Sequence, residues 1–136
     1  MRYIALFLIL LILISCDEKI IKSDIDCNEC YDAKDDSVDL IIDITINDKY
    51  PKVPWKLYID EVEKNFIDWV DTAYSSPVYL YSAVDQKYSI KVEYVYNSDT
   101  IYVIDATKIK WKRVTGECEE DCYVIVNNRI DARLKF

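Results

Sequence analysis

Apolar and polar residues alternate along most of the chain after Val38. In the first run, Leu40, Ile42, Ile44 and Ile46 occupy every second position. A period of two is typical of a strand that buries one face, and no stretch shows a helical period of adequate length. The chain is therefore read as eight or nine strands, in the runs 38–46, 53–59, 66–72, 78–84, 88–96, 100–106, 109–113, 123–126 and 130–136.

Turn residues separate these runs at intervals of roughly 8–12 residues, which is typical of sandwiches. Asn47-Asp48 and Asn97-Ser98-Asp99 stand at two of the breaks, and Asn127-Asn128 predicts a final hairpin between the last two runs. Asn adopts the left-handed conformation that tight hairpins need, so a chain with one glycine can still turn often. We predict an all-β fold, an antiparallel β-sandwich of about eight strands in residues 38–136.

The number and spacing of the strands resemble those of the small immunoglobulin-like or transthyretin-like sandwiches common in bacterial surface proteins. This resemblance implies a fold and no activity, because such sandwiches host many functions. As a whole, the chain resembles short lipoproteins of Gram-negative commensals.

The first fifteen residues read as a signal peptide. Arg2 supplies a positive charge, and residues 3–14 form an unbroken apolar run that is too short for a membrane-spanning helix. Leu13-Ile14-Ser15-Cys16 resembles the lipobox of bacterial lipoproteins. That resemblance implies cleavage before Cys16, a diacylglycerol on its sulfur and a third acyl chain on its amine. Several acyl chains hold a soluble domain firmly on a membrane.

Residues 16–37 are read as the lipidated cysteine and a polar tether that lifts the sandwich off the bilayer. Asp17-Glu18-Lys19 follows the cysteine. Acidic residues at this place resemble an inner-membrane retention signal in one bacterial group and a surface-export signal in others. We expect the outer membrane or cell surface, with the acyl chains on Cys16 as the membrane contact.

Composition removes several functional classes. The chain has 136 residues and no histidine, which excludes Ser-His-Asp and Cys-His catalysis and all histidine-ligated metal sites. Its only glycine, Gly116, excludes glycine-rich phosphate loops. A net charge of −8 argues against a nucleic-acid partner.

Four further cysteines form two pairs, Cys27-x2-Cys30 and Cys118-x3-Cys122. Outside the cytoplasm such cysteines form structural disulfides, and the sequence leaves open whether the bridges join the two pairs or stay within each. A redox CxxC centre and a four-thiolate zinc site are alternatives. Carboxylates around the thiols disfavour the redox centre, because they raise the pKa of a thiol. An oxidising compartment disfavours the zinc site. We expect no metal and no cofactor.

Aromatic residues are numerous, and most fall on inward-facing positions, as Trp55 and Trp111 do, which predicts core positions for them. Tyr58, Tyr79, Tyr81 and Tyr102 fall on faces that look less apolar. Exposed tyrosines can stack on the apolar faces of sugar rings, whereas cross-strand tyrosines more often simply stabilise a sheet.

The acidic residues are scattered, and they predict no catalytic site. Asp39 and Asp43 share the outer face of the first strand. Paired carboxylates can hydrolyse glycosides, but surface acids on a strand more often solvate the sheet and protect its edge.

These observations favour a lipid-anchored envelope protein without enzymatic activity. Its expected role is structural or interactive, with another envelope protein or a glycan as partner. The alternative function is a carbohydrate-binding surface module that uses the four tyrosines.

Overall fold

The computed structural model describes residues 25–135, and the predicted signal peptide and Cys16 lie outside this range. The described chain is all-β apart from two short 3-10 turns, Cys27–Glu29 and Val62–Lys64. The strands are β1 (Ser37–Asp43), β2 (Val53–Ile59), β3 (Ile67–Ala73), β4 (Val78–Ala83), β5 (Lys87–Tyr96), β6 (Asp99–Lys108), β7 (Lys110–Val114), β8 (Cys122–Val126) and β9 (Arg129–Asp131).

The strands form two main sheets and a separate hairpin. One sheet has four antiparallel strands in the order β3-β2-β5-β6, and the other has three in the order β4-β1-β9. Strands β7 and β8 pair with each other. The predicted β-sandwich is confirmed, and each predicted run contains an observed strand.

The predicted final hairpin is wrong. Strand β8 pairs with β7, while β9 lies beside β1 in parallel, with Ile130 opposite Ile42. Backbone hydrogen bonds of the two residues between β8 and β9 hold this crossing in place. The Asn127 carbonyl accepts a hydrogen bond from the Thr107 hydroxyl, and the Asn128 carbonyl accepts one from the backbone N–H of Ile41. These bonds carry the chain from the β7–β8 hairpin to the edge of β1, so the three-stranded sheet is mixed.

Tight turns use residues with positive φ, as the asparagine argument predicted. Asn97 and Ser98 are the two central residues of the β5–β6 hairpin, with φ of 49° and 73°. Positive φ at both positions characterises the type I′ turn, whose twist matches that of the flanking strands. Asn65 and Asn127 also have positive φ, at the end of a 3-10 turn and at the end of β8.

The core lies between the inner faces of the two sheets. It is formed by alternate residues of β1, β2 and β5, as their period of two predicts. Fully buried aliphatic and aromatic side chains dominate it, among them Leu40, Ile42, Trp55, Leu57, Ile90 and Val92. Burying one such side chain stabilises the fold by about 1.5–3 kcal/mol, so this layer is the main source of stability.

Tyr94 connects the two sheets through its hydroxyl. The ring is buried, and the hydroxyl donates to the Ala132 carbonyl at 2.7 Å and accepts from the Thr45 backbone N–H at 2.9 Å. Strand β5 is thereby tied to the segments that follow β1 and β9. Burial raises the pKa of the Tyr94 hydroxyl above its ordinary value of 10.0, and the hydrogen bond from Thr45 opposes that rise.

We predict that Tyr94→Phe lowers the free energy of unfolding by about 1–2 kcal/mol, because it leaves the Thr45 N–H and the Ala132 carbonyl without their partner. Tyr96→Phe is the control. That side chain lies on the same strand but is half exposed, so we expect a change within about 0.5 kcal/mol. Urea denaturation of each variant is the measurement, and equal effects of the two substitutions would contradict the assigned role of Tyr94.

The same hydroxyl gives a pH dependence. Since its folded pKa is raised, its contribution to stability is complete below pH 10 and is lost as pH rises through the folded pKa. Urea midpoints between pH 9 and pH 11 should therefore fall less steeply in Tyr94→Phe than in the parent chain.

Candidate functional site

A wide groove runs along the outer face of the three-stranded sheet. It has a volume of about 730 Å³ and is bounded on one side by the β7–β8 hairpin and the segment 25–31. We call it the acidic groove, because carboxylates alternate with aromatic rings around it. Its characteristic lining residues are Asp26, Glu29, Tyr31, Asp39, Tyr79 and Tyr81.

Two disulfides fix the N-terminal wall of the acidic groove. Cys27 is bonded to Cys118 and Cys30 to Cys122, so both bridges join the two cysteine pairs. Each bridge closes a loop of more than 90 residues. Closing such a long loop restricts the unfolded chain strongly, and this effect stabilises a protein by about 2–4 kcal/mol in typical cases. The pairing that the sequence left open is therefore the long-range one.

Backbone and side-chain hydrogen bonds add to the disulfides. Tyr31 and Tyr123 exchange two backbone hydrogen bonds of 2.9 Å, which attach the N-terminal segment to β8. The indole of Trp111 donates to the carbonyl of Asp35 at 2.9 Å, and the Tyr31 ring packs edge-on against the Trp111 ring at 5.6 Å. The sequence assigned residues 25–36 to the tether. In the structure, this C-terminal part of the predicted tether belongs to the folded body.

Two of the four predicted tyrosines line the acidic groove. Tyr79 and Tyr81 point outward from β4, with exposed fractions of 59% and 75%. In the β1–β4 register, Tyr79 lies opposite Ile41 and Tyr81 lies opposite Asp39. Alternate residues of a strand lie about 7 Å apart on the same face, so the two rings are neighbours on one open face of the sheet.

The other two tyrosines lie on the opposite side of the molecule, on the outer face of the four-stranded sheet. Tyr102 is exposed there, on β6. Tyr58, which the sequence placed on an exposed face, is only 5% exposed, and that expectation is wrong. The cause is its place on a central strand, where Ile67 of β3 and Ser89 of β5 flank it on both sides.

Asp39 and Asp43 differ in environment although both belong to the outer face of β1. Asp39 is exposed, whereas Asp43 is buried. The guanidinium of Arg129 donates through Nε and Nη2 to the Asp43 carboxylate, the Nη2 bond being 2.7 Å long. This contact raises the pKa of Arg129. Asp43 therefore joins β1 to β9 and does not form a pair of free surface carboxylates with Asp39.

The sulfur atoms of Cys30, Cys118 and Cys122 lie within 4.8 Å of one another and are the one group of candidate metal ligands in residues 25–135. All three belong to disulfides. A sulfur atom in a disulfide carries no negative charge, and zinc binds the thiolate form. The cluster in this oxidised form therefore acts as a covalent clamp on the wall of the acidic groove.

Comparisons with protein-family models, with curated proteins and with solved structures find no match to this chain. Over residues 25–135, no helix has the length and apolar character needed to span a membrane. The chemistry of the acidic groove therefore has to be argued from its own residues.

Sequence reasoning did not identify the N-terminal side of the acidic groove. The sequence assigns Tyr31 to the tether and Trp111 to the core. The two residues are 80 positions apart and meet only because the disulfides and β8 bring them together. One local signal was present, because Tyr31 directly follows Cys30 and a bridged cysteine must lie on the folded body.

We predict that reduction of the unfolded chain adds four hydrogens to the mass contributed by residues 25–135, as two disulfides require. Proteolytic fragments of the unreduced protein should be joined as Cys27–Cys118 and Cys30–Cys122. Mass spectrometry measures both. Fragments joined within each pair would contradict the described groove wall.

The double variant Cys27→Ser with Cys118→Ser should lower the free energy of unfolding by about 2–4 kcal/mol. Ser75→Ala, in an exposed loop, is the control and should change it by less than about 0.5 kcal/mol.

Proposed function

We propose that this chain is a lipid-anchored cell-envelope protein with a non-enzymatic interaction role, and that the acidic groove is its binding surface. The observation that carries the proposal is the acidic groove itself. It is open, has a volume of about 730 Å³ and is lined by exposed aromatic rings and carboxylates. Aromatic side chains supply much of the binding energy at interfaces, because they bury a large area at a small entropic cost.

Rigidity of the groove wall supports a binding role. Two disulfides, a backbone bridge to β8 and the Trp111 hydrogen bond hold the segment beside Tyr31. A surface that is already ordered loses little conformational entropy when a partner binds. The anchor rests on the lipobox-like ending at Cys16, and the outer membrane or cell surface is the location that we propose with it.

Cys16→Ala tests the anchor. We expect the variant to remain uncleaved or to leave the membrane fraction, and to lose incorporation of an alkyne-labelled fatty acid, because its sulfur is the proposed acylation site. Ser23→Ala, which removes one polar atom from the proposed tether, is the control and should fractionate like the parent chain. Unchanged membrane association together with unchanged acylation of Cys16→Ala would refute the anchor.

A second candidate function is carbohydrate binding by Tyr79 and Tyr81. The supporting observation is that the two exposed rings are successive outward residues of one strand. A pyranose presents apolar C–H faces, so consecutive sugars of a chain can stack on such rings. Asp39, opposite Tyr81, offers a carboxylate that can accept hydrogen bonds from sugar hydroxyls.

We test this candidate with a panel of neutral hexasaccharides and isothermal titration calorimetry. The double variant Tyr79→Ala with Tyr81→Ala should weaken binding at least tenfold, a loss of about 1.4 kcal/mol. Tyr74→Ala, an exposed tyrosine that does not line the acidic groove, is the control and should bind like the parent chain. Failure of all hexasaccharides to bind, or equal affinity of the double variant, would rule out this function.

A further inference from the structure

A second, smaller groove lies on the opposite side of the molecule, on the outer face of the four-stranded sheet. Its volume is about 190 Å³, and it crosses all four strands. Aromatic rings line both grooves, but the charged residues of this one are two lysines and one glutamate. We call it the basic groove, and its main lining residues are Pro54, Lys56, Tyr58, Val70, Lys91 and Tyr102.

Two lysines face each other at the centre of the basic groove. Lys56 of β2 and Lys91 of β5 are direct partners in the antiparallel register. Side chains so placed start about 5 Å apart, and like charges in this position destabilise a sheet. Neither lysine forms an ion pair with another described residue, a property they share with most of the described lysines. What distinguishes the two is that they face each other and that neither has an acidic partner.

Lys56 and Lys91 face each other without an acidic partner, although the protein as a whole is acidic. The chain carries 25 acidic and 17 basic residues, so acidic partners are abundant. Glu93 lines the same groove, but its carboxylate does not come within ion-pair distance of Lys56 or Lys91. An external anion between the two ammonium groups would remove their repulsion and gain two attractive contacts.

Aromatic and apolar groups surround the lysine pair. The Lys91 ammonium lies over one face of the Tyr102 ring, 4.3 Å from its centroid, which is a cation–π contact. Tyr58 is buried and forms part of the groove lining, and Val70 is exposed on the β3 side. A ligand that combines an anionic group with a flat apolar surface matches this arrangement.

We propose that the basic groove binds an acidic sugar, a pyranose that carries a carboxylate, as in a uronic acid. The carboxylate lies between the ammonium groups of Lys56 and Lys91. The apolar face of the sugar ring lies against the face of Tyr102 that Lys91 does not cover, and Glu93 accepts hydrogen bonds from ring hydroxyls. This inference rests on the proposed interaction role. It adds a class of ligand and a second binding surface, on the outer face of the other sheet, and it does not depend on Tyr79 or Tyr81.

The experiment compares two probes that differ in charge. The full chain, purified in detergent, is titrated by calorimetry with tetragalacturonate and with its methyl ester, which keeps the rings and removes the negative charges. We expect the acid to bind at least tenfold more tightly than the ester, and its affinity to fall as salt rises from 50 to 300 mM. Equal affinity for acid and ester would overturn the proposal, and so would the absence of binding at millimolar acid.

Substitutions locate the binding site. The double variant Lys56→Gln with Lys91→Gln should lose at least tenfold in affinity for tetragalacturonate. It should unfold at the same or a higher temperature, because a like-charge pair is removed. Tyr102→Ala should also weaken binding, whereas Lys112→Gln, an exposed lysine of β7, should leave it unchanged. An equal loss in Lys112→Gln would show a non-specific charge effect and overturn the assignment.

Two further experiments distinguish this site from a neutral-sugar site in the acidic groove and from a lipid-binding surface. Tyr79→Ala with Tyr81→Ala should bind tetragalacturonate normally even if the neutral-sugar function fails, so the two proposals can fail separately. Vesicles of phosphatidylglycerol, with phosphatidylcholine as reference, test a lipid surface. Binding to anionic vesicles without binding to tetragalacturonate would replace the sugar by a membrane headgroup and overturn the proposal.

Discussion

The apolar layer between the two sheets is the constraint on which the rest of the structure depends. Strands β1, β2 and β5 each turn one side into this layer, and their opposite sides must then face outward. The two grooves are a direct result, because one lies on the outer face of each sheet. Tyr94 adds a polar connection through the same layer, so the distance between the faces is held by packing and by hydrogen bonds.

Covalent attachment of the N-terminal segment completes the acidic groove. Without the bridges from Cys27 and Cys30, that wall would be held by noncovalent contacts such as the hydrogen bonds of Tyr31 and Asp35 and the packing of Tyr31 against Trp111. The position of the wall also bears on the proposed anchor. Eight residues lie between Cys16 and Ile25, so these two residues are at most about 30 Å apart along an extended chain. A lipid on Cys16 would therefore keep the folded body close to the membrane surface.

The net charge of the chain conceals a difference between its two faces. Asp26, Glu29 and Asp39 make one groove acidic, whereas Lys56 and Lys91 make the other basic. Charges of opposite sign on opposite faces favour partners of different chemistry on each side. The four tyrosines that the sequence grouped into one candidate site are divided between these faces, two on each. The fold therefore does not bring all four tyrosines together into a single sugar site.

The sequence by itself determined the features that depend on neighbouring residues. The period of two predicted the strands and the inward side chains of β1, β2 and β5, and asparagine predicted the Asn97-Ser98 turn. Only the tertiary structure decided which strands pair. It placed β9 beside β1, paired the cysteines between the two motifs and buried Tyr58 between two flanking strands. The reason is physical: alternation acts over a few residues, whereas strand order, disulfide pairing and lateral burial depend on contacts between segments far apart in the chain.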